Sequence, residues 1–171
     1  MLAANAVLLN LQAIASYGLD GFANATEALV GEAVGAHDAL KYRAVLRAST
    51  QAAGIAAAVF SMLSCTMGGH IVHWFTNQAP VASLAIRYLP WVIGMPLIAV
   101  WGFQLDGVFI GATRTYDLRN SMIISLAGFL AFSTVLVRVM GNDGLWMAFT
   151  GFMALRGITL SLRLKGILQH V

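Results

Sequence analysis

Five long apolar stretches, separated by short breaks, constrain this chain more than any other feature of it. They cover about residues 2–34, 52–75, 81–111, 121–140 and 145–162. Each is near or beyond the roughly 20 residues that an α-helix needs to cross a bilayer. Composition agrees: 59% of the 171 residues are hydrophobic and 10% are charged, where a soluble domain is about a quarter charged. One small globular core cannot hide so much apolar surface, whereas hydrocarbon can. In lipid, backbone polar groups must be satisfied within the spanning segment itself. The expected fold class is therefore an all-α membrane protein with about five transmembrane helices.

The basic residues sit mainly in particular breaks. Lys41, Arg43 and Arg47 lie in the hydrophilic stretch 37–47, Arg114 and Arg119 in the stretch 113–119, and Arg163 and Lys165 after the last apolar stretch. If the chain crosses at each stretch, all seven fall on one side, which the bias of Lys and Arg makes the cytoplasm. Arg87 and Arg138 fall near the other side, and Arg156 lies within a span. This arrangement needs an outside amino terminus and an odd number of spans, so at least one helix is expected before Met1. A net charge of +3 distributed in this way suits a membrane topology and no nucleic-acid surface.

Other chemistries find little footing. The single cysteine, Cys65, excludes an intrachain disulfide. His70 and His73 share a helix face but lack further ligands at a useful spacing, so no metal site and no cofactor are expected. No nucleophile elbow or zinc-protease motif is present, and no enzymatic activity is expected.

The polar residues inside the spans raise the functional question, because an intramembrane carboxylate is costly unless it faces protein or water. Asp106 is the foremost of these, with Gln104 two residues before it. In the first span, Asp20, Asn24 and Glu27 follow one another at i, i+4 and i+7, with Tyr17 at i−3, so they share one face. The phrase Leu19-Asp20-Gly21-Phe22 resembles Leu105-Asp106-Gly107-Val108 in three of four positions. Two readings apply to each group. Asp106 either couples transport to an ion or holds its span to a neighbour by a hydrogen bond. Asp20, Asn24 and Glu27 either line a cleft or water path, or form a polar seam between helices. Pro90 and Pro96 lie inside the third span and are expected to bend or locally unwind it.

The segment Leu105-Asp106-Gly107-Val108-Phe109-Ile110-Gly111-Ala112-Thr113-Arg114, followed by Arg119-Asn120-Ser121-Met122, resembles the DNA-damage-inducible F-type branch of the MATE (multidrug and toxic compound extrusion) transporters. So do Leu19-Asp20-Gly21-Phe22-Ala23 with Glu27-Ala28-Leu29-Val30-Gly31, then Gly144-Leu145-Trp146 and Ala154-Leu155-Arg156-Gly157. The resemblance runs in order over nearly the whole chain. It implies helices eight to twelve of a twelve-helix protein, most of its carboxyl-terminal lobe. It also implies antiport, in which a drug-like, often cationic substrate leaves as protons or sodium ions enter and two lobes rock about a central cleft. In that branch the carboxylates usually assigned to proton coupling belong to the amino-terminal lobe, so none is carried over. The implied partners are the lipid bilayer, an amino-terminal lobe in cis or trans and an organic substrate. The implied location is the bacterial inner membrane. A second function class is a non-transporting helical remnant or scaffold that pairs with another chain.

Overall fold

A computed structural model of the chain describes residues 1–167. It contains five long helices, α1 (Leu2–Gly35), α2 (Ala39–Phe75), α3 (Ala79–Gly111), α4 (Thr115–Met140) and α5 (Asn142–Arg163), followed by a 3₁₀ turn over Leu164–Gly166. All five are long and apolar enough to cross a membrane, and no strand occurs among the described residues.

The helices run past the apolar stretches into the expected basic loops. The break at 37–47 contracts to a turn at 36–38, because the Asp38 carboxylate accepts from the Lys41 backbone N–H at 2.9 Å and caps α2. His37 adopts φ 52°, and the Asp38 N–H then closes on the Ala33 carbonyl. The α3–α4 turn repeats this solution, with Thr113 at φ 58° and the Arg114 N–H on the Phe109 carbonyl. The break between the stretches 121–140 and 145–162 shrinks to Gly141 alone, whose φ of +60° suits glycine. Of the two outcomes expected of the prolines in α3, a bend or local unwinding, the second does not occur. The chain remains helical through Pro90 and Pro96, with no unwound stretch. Each proline removes only one donor, and neighbouring hydroxyls can compensate in a membrane bundle. Here the Ser61 hydroxyl of α2 donates to the Ile93 carbonyl, one residue beyond the Val92 carbonyl whose helical donor Pro96 lacks.

The core is divided between the two ends of the bundle. One cluster joins Leu8, Leu11, Val72, Tyr88, Val92, Met95 and Trp146, and the other joins Val30, Tyr42, Val108, Phe109, Leu160 and Ile167. The second lies at the end that carries Lys41, Arg43, Arg47, Arg114, Arg119 and Arg163, so the basic segments do share one end of the molecule. The Lys165 side chain lies outside what is described. Helices α1 and α3 run parallel and form the most extensive pairing. Gly107 makes this possible, since a Cβ there would run into the Ala23 carbonyl.

Helix α4 is amphipathic in the inverted sense. Its buried residues are Asp117, Ser121 and Ser125, all polar, while Ile123, Leu130, Phe132, Val135 and Val139 are more than half exposed. A helix of a soluble protein turns its apolar stripe inward. The reverse arrangement belongs in hydrocarbon, where polar groups act as the adhesive between helices. The Ser121 and Thr159 hydroxyls lie 2.5 Å apart and join α4 to α5.

Candidate functional site

The two Asp-Gly phrases that look alike in sequence come abreast in space. Gly107 packs on Ala23, three residues after Asp20, and Gly111 packs against Glu27 and Gly31. Asp20 and Asp106 therefore stand at similar depth on neighbouring parallel helices. Their surroundings differ. Asp106 is buried, whereas Asp20, Asn24 and Tyr17 are exposed and Glu27 is half-buried. The stripe on α1 is thus not a seam within this bundle. It forms an open polar face in the middle of a 34-residue apolar helix.

Asp106 pairs with Arg156 of α5, whose Nη2 donates to Oδ2. Both side chains are largely buried, at 12% and 15% exposure. The pair uses one bond, leaving the buried Asp106 Oδ1 and Arg156 Nε without partners among the described residues. Burying two charges in a low-dielectric interior is costly, and attraction offsets that cost only when the remaining polar atoms are also satisfied. The pair is therefore held by its surroundings more than by its own energy. Gly102 is part of that setting, because a Cβ at this position would touch Arg156 Cδ at 3.6 Å. The sequence held a signal for the pair: a lone carboxylate and a lone guanidinium inside two separate spans.

Gln104 forms the seam expected of the α1 stripe. Its Nε2 donates to Ser49 Oγ at 2.6 Å, and Thr26 Oγ1 donates to Gln104 Oε1 at 3.3 Å, so α1, α2 and α3 share one buried polar thread. Beyond it, Asp117 accepts from Arg114 at 2.7 Å and Arg163 at 2.8 Å, tying the start of α4 to the end of α5. Arg119 instead lies over the Tyr116 ring at 4.5 Å. Lys41 reaches Glu32 at 2.5 Å, while Arg43 and Arg47 are exposed. Cys65, His70 and His73 are also exposed, on α2.

The opposite end of the bundle is tied differently. Asn5 Nδ2 donates to Asn142 Oδ1 at 2.6 Å, Trp146 Nε1 donates to Asn5 Oδ1 at 3.2 Å, and Trp91 Nε1 donates to Asp143 Oδ1 at 3.2 Å.

Comparison with known proteins gives two findings. The MatE family model matches residues 1–144. The DNA damage-inducible protein F of Escherichia coli (strain K12) is 44% identical over 161 residues, covering 94% of this chain and 35% of that protein. The chain thus spans about a third of the length of this curated relative.

Proposed function

The chain belongs to the MatE family, and on that premise we propose that it is most of the carboxyl-terminal lobe of a cation-coupled multidrug antiporter of the bacterial inner membrane. It works by alternating access, exchanging a drug-like organic cation for protons or sodium ions. Its role is transport and not enzymatic turnover. It needs an amino-terminal lobe, in cis or trans, to complete the cleft. The basic end faces the cytoplasm.

The observation that carries this reading is the open stripe of Tyr17, Asp20, Asn24 and Glu27 beside the buried Asp106. A carboxylate halfway along an apolar helix is costly against lipid. Water or a second lobe removes that cost, which makes this face the wall of a cleft. Asp106, just behind the wall, is the coupling carboxylate, and Asn24 with Glu27 supplies the polar lining, while Gln104 holds α1, α2 and α3 together beneath it.

The test is Asp106→Asn in an assembled transporter, with an amino-terminal portion co-expressed. Asn keeps the shape and hydrogen-bonding capacity but removes the titratable charge. Efflux is expected to fall with expression and detergent melting preserved, and Asp20→Asn is expected to cause a smaller loss. Unchanged efflux with unchanged pH dependence in normally expressed Asp106→Asn protein would falsify the coupling role. The chain expressed alone is expected to give no efflux. Robust ion-coupled efflux by the purified chain in liposomes would instead show that one lobe suffices.

A further inference from the structure

We infer that Arg156 is a positioning residue for Asp106, a tethered counter-cation that occupies the carboxylate in one state and releases it when a proton arrives, freeing α5 to move against α3. This rests on the reading of Asp106 as the coupling carboxylate.

Three observations lead to it. First, the ion pair joins α3 to α5 from inside two spans, where ionisable residues cost most. Second, it is singly bonded. A guanidinium and a carboxylate can form two parallel bonds, yet Oδ1 and Nε are both buried and have no partner among the described residues. A pair held by one bond with atoms left unsatisfied is poised for exchange, whereas a bidentate, fully satisfied pair is a permanent clamp. Third, a second carboxylate stands level with the pair. Arg156 of α5 holds Asp106, and the packing of Gly107 on Ala23 brings Asp20 of α1 to similar depth, while Gln104, engaged by Ser49 and Thr26, does not titrate.

The charge balance follows. With Asp106 ionised, two carboxylates and one guanidinium leave the junction at −1. A proton taken up at Asp106 gives a neutral acid and leaves Arg156 and Asp20 as the remaining charges, for a junction charge of zero. The charge-assisted bond lost is that from Arg156 to Asp106. Proton uptake therefore loosens the tether between α3 and α5.

The experiment reads helix position and does not require transport. Cysteines replace Ile110, near the end of α3, and Leu162, near the end of α5, on a Cys65→Ser background. Both sites are exposed. Spin labels on the full chain in lipid nanodiscs report their separation across pH. The distance is expected to shift by about 2 Å or more on acidification, the scale of helix shifts in switching proteins. Asp106→Asn is expected to hold the acid-side distance at every pH. Arg156→Gln is expected to abolish the pH response, and Arg156→Lys is expected to retain it, since Lys keeps the charge. A pH-invariant distance in the parent protein, or an undiminished response in folded Arg156→Gln, overturns the inference. Should Arg156→Gln fail to fold, the Asp106→Asn and Arg156→Lys arms still decide. If the distance responds as expected while Asp106→Asn transports normally, the tether stands and the coupling role falls. If Asp106→Asn loses transport while the distance never responds, the coupling role stands and the tether falls.

Discussion

The two ends of this bundle are fastened by different chemistry. At the end away from the basic segments, amides and indoles do most of the work: Asn5 meets Asn142 and Trp146, and Trp91 donates to Asp143, with no ion pair at that end among the described residues. At the basic end, charges do it: Asp106 with Arg156, and Asp117 with Arg114 and Arg163. The helices and their packing are continuous between the two, so the contrast is one of pH response and not of architecture. Amides and indoles keep their hydrogen bonds across the physiological range. Carboxylate contacts change whenever a proton binds. The basic end, held by ion pairs, is therefore expected to respond to pH more than the other.

Orientation is the first place where the comparison can fail. A cysteine at the exposed Ala44, on a Cys65→Ser background, is expected to resist an impermeant thiol reagent in sealed cells and to react fully after permeabilisation. External labelling would put the titratable end outside and reverse the proposed topology.

Among stability changes, Arg156→Gln is expected to cost most, about 3–5 kcal/mol, because it leaves a buried carboxylate without its counter-charge. The deficit, read by denaturant titration in mixed micelles, should be smaller at about pH 5 than at about pH 8, since a protonated Asp106 needs no partner. The double change Asp106→Asn with Arg156→Gln should recover much of it. A loss that is the same at both pH values and not relieved in the double variant would reduce the pair to ordinary packing.

Gly107→Ala tests the frame that both ends share. Its Cβ meets Ala23 backbone, which cannot rotate away, so a loss of about 1–3 kcal/mol is expected, with no pH dependence. Asn5→Ala probes the neutral end. It deprives Asn142 and Trp146 of a partner, and about 1 kcal/mol is expected, again independent of pH. The smallest effect belongs to Arg119→Gln. This side chain is exposed and carries none of the ion pairs, so a change within about 0.5 kcal/mol is expected. A pH-dependent loss from Asn5→Ala would erase the distinction between the ends.

The fold class was legible because hydropathy reports it directly: apolar stretches long enough to span became helices. Helix ends were less legible. Residues such as Lys41 and Arg43 look like loop by polarity, but helices in a membrane protein can project beyond the hydrocarbon, and Asp38 provides the cap that starts α2 early. That the prolines do not unwind α3 was not legible for a related reason, since sequence reveals the donor that is lost and not the hydroxyl of Ser61 near the gap. At the candidate site, the shared face of Asp20, Asn24 and Glu27 was readable from helical spacing. Its openness was not, because spacing says which residues share a face and not what that face meets. The pairing of Asp106 with Arg156 spans 50 positions of sequence. Only the residue types hinted at it.

Helix α4 has a practical consequence for anyone handling this protein. It meets α5 through hydroxyls, one shared carboxylate and the Phe129–Phe152 ring contact, while much of its greasy side is turned outward. Lipid chains preserve such adhesion, since they offer no competing hydrogen bonds. Small, harsh detergents admit water to the contact and also solvate the greasy side, so both reasons for staying in place weaken together. Extraction is expected to loosen α4, which meets mainly α5, before it disturbs the α1 and α3 pairing. Solubilised preparations should accordingly be judged by whether this one helix is still attached, and purified lipid added back early in the procedure.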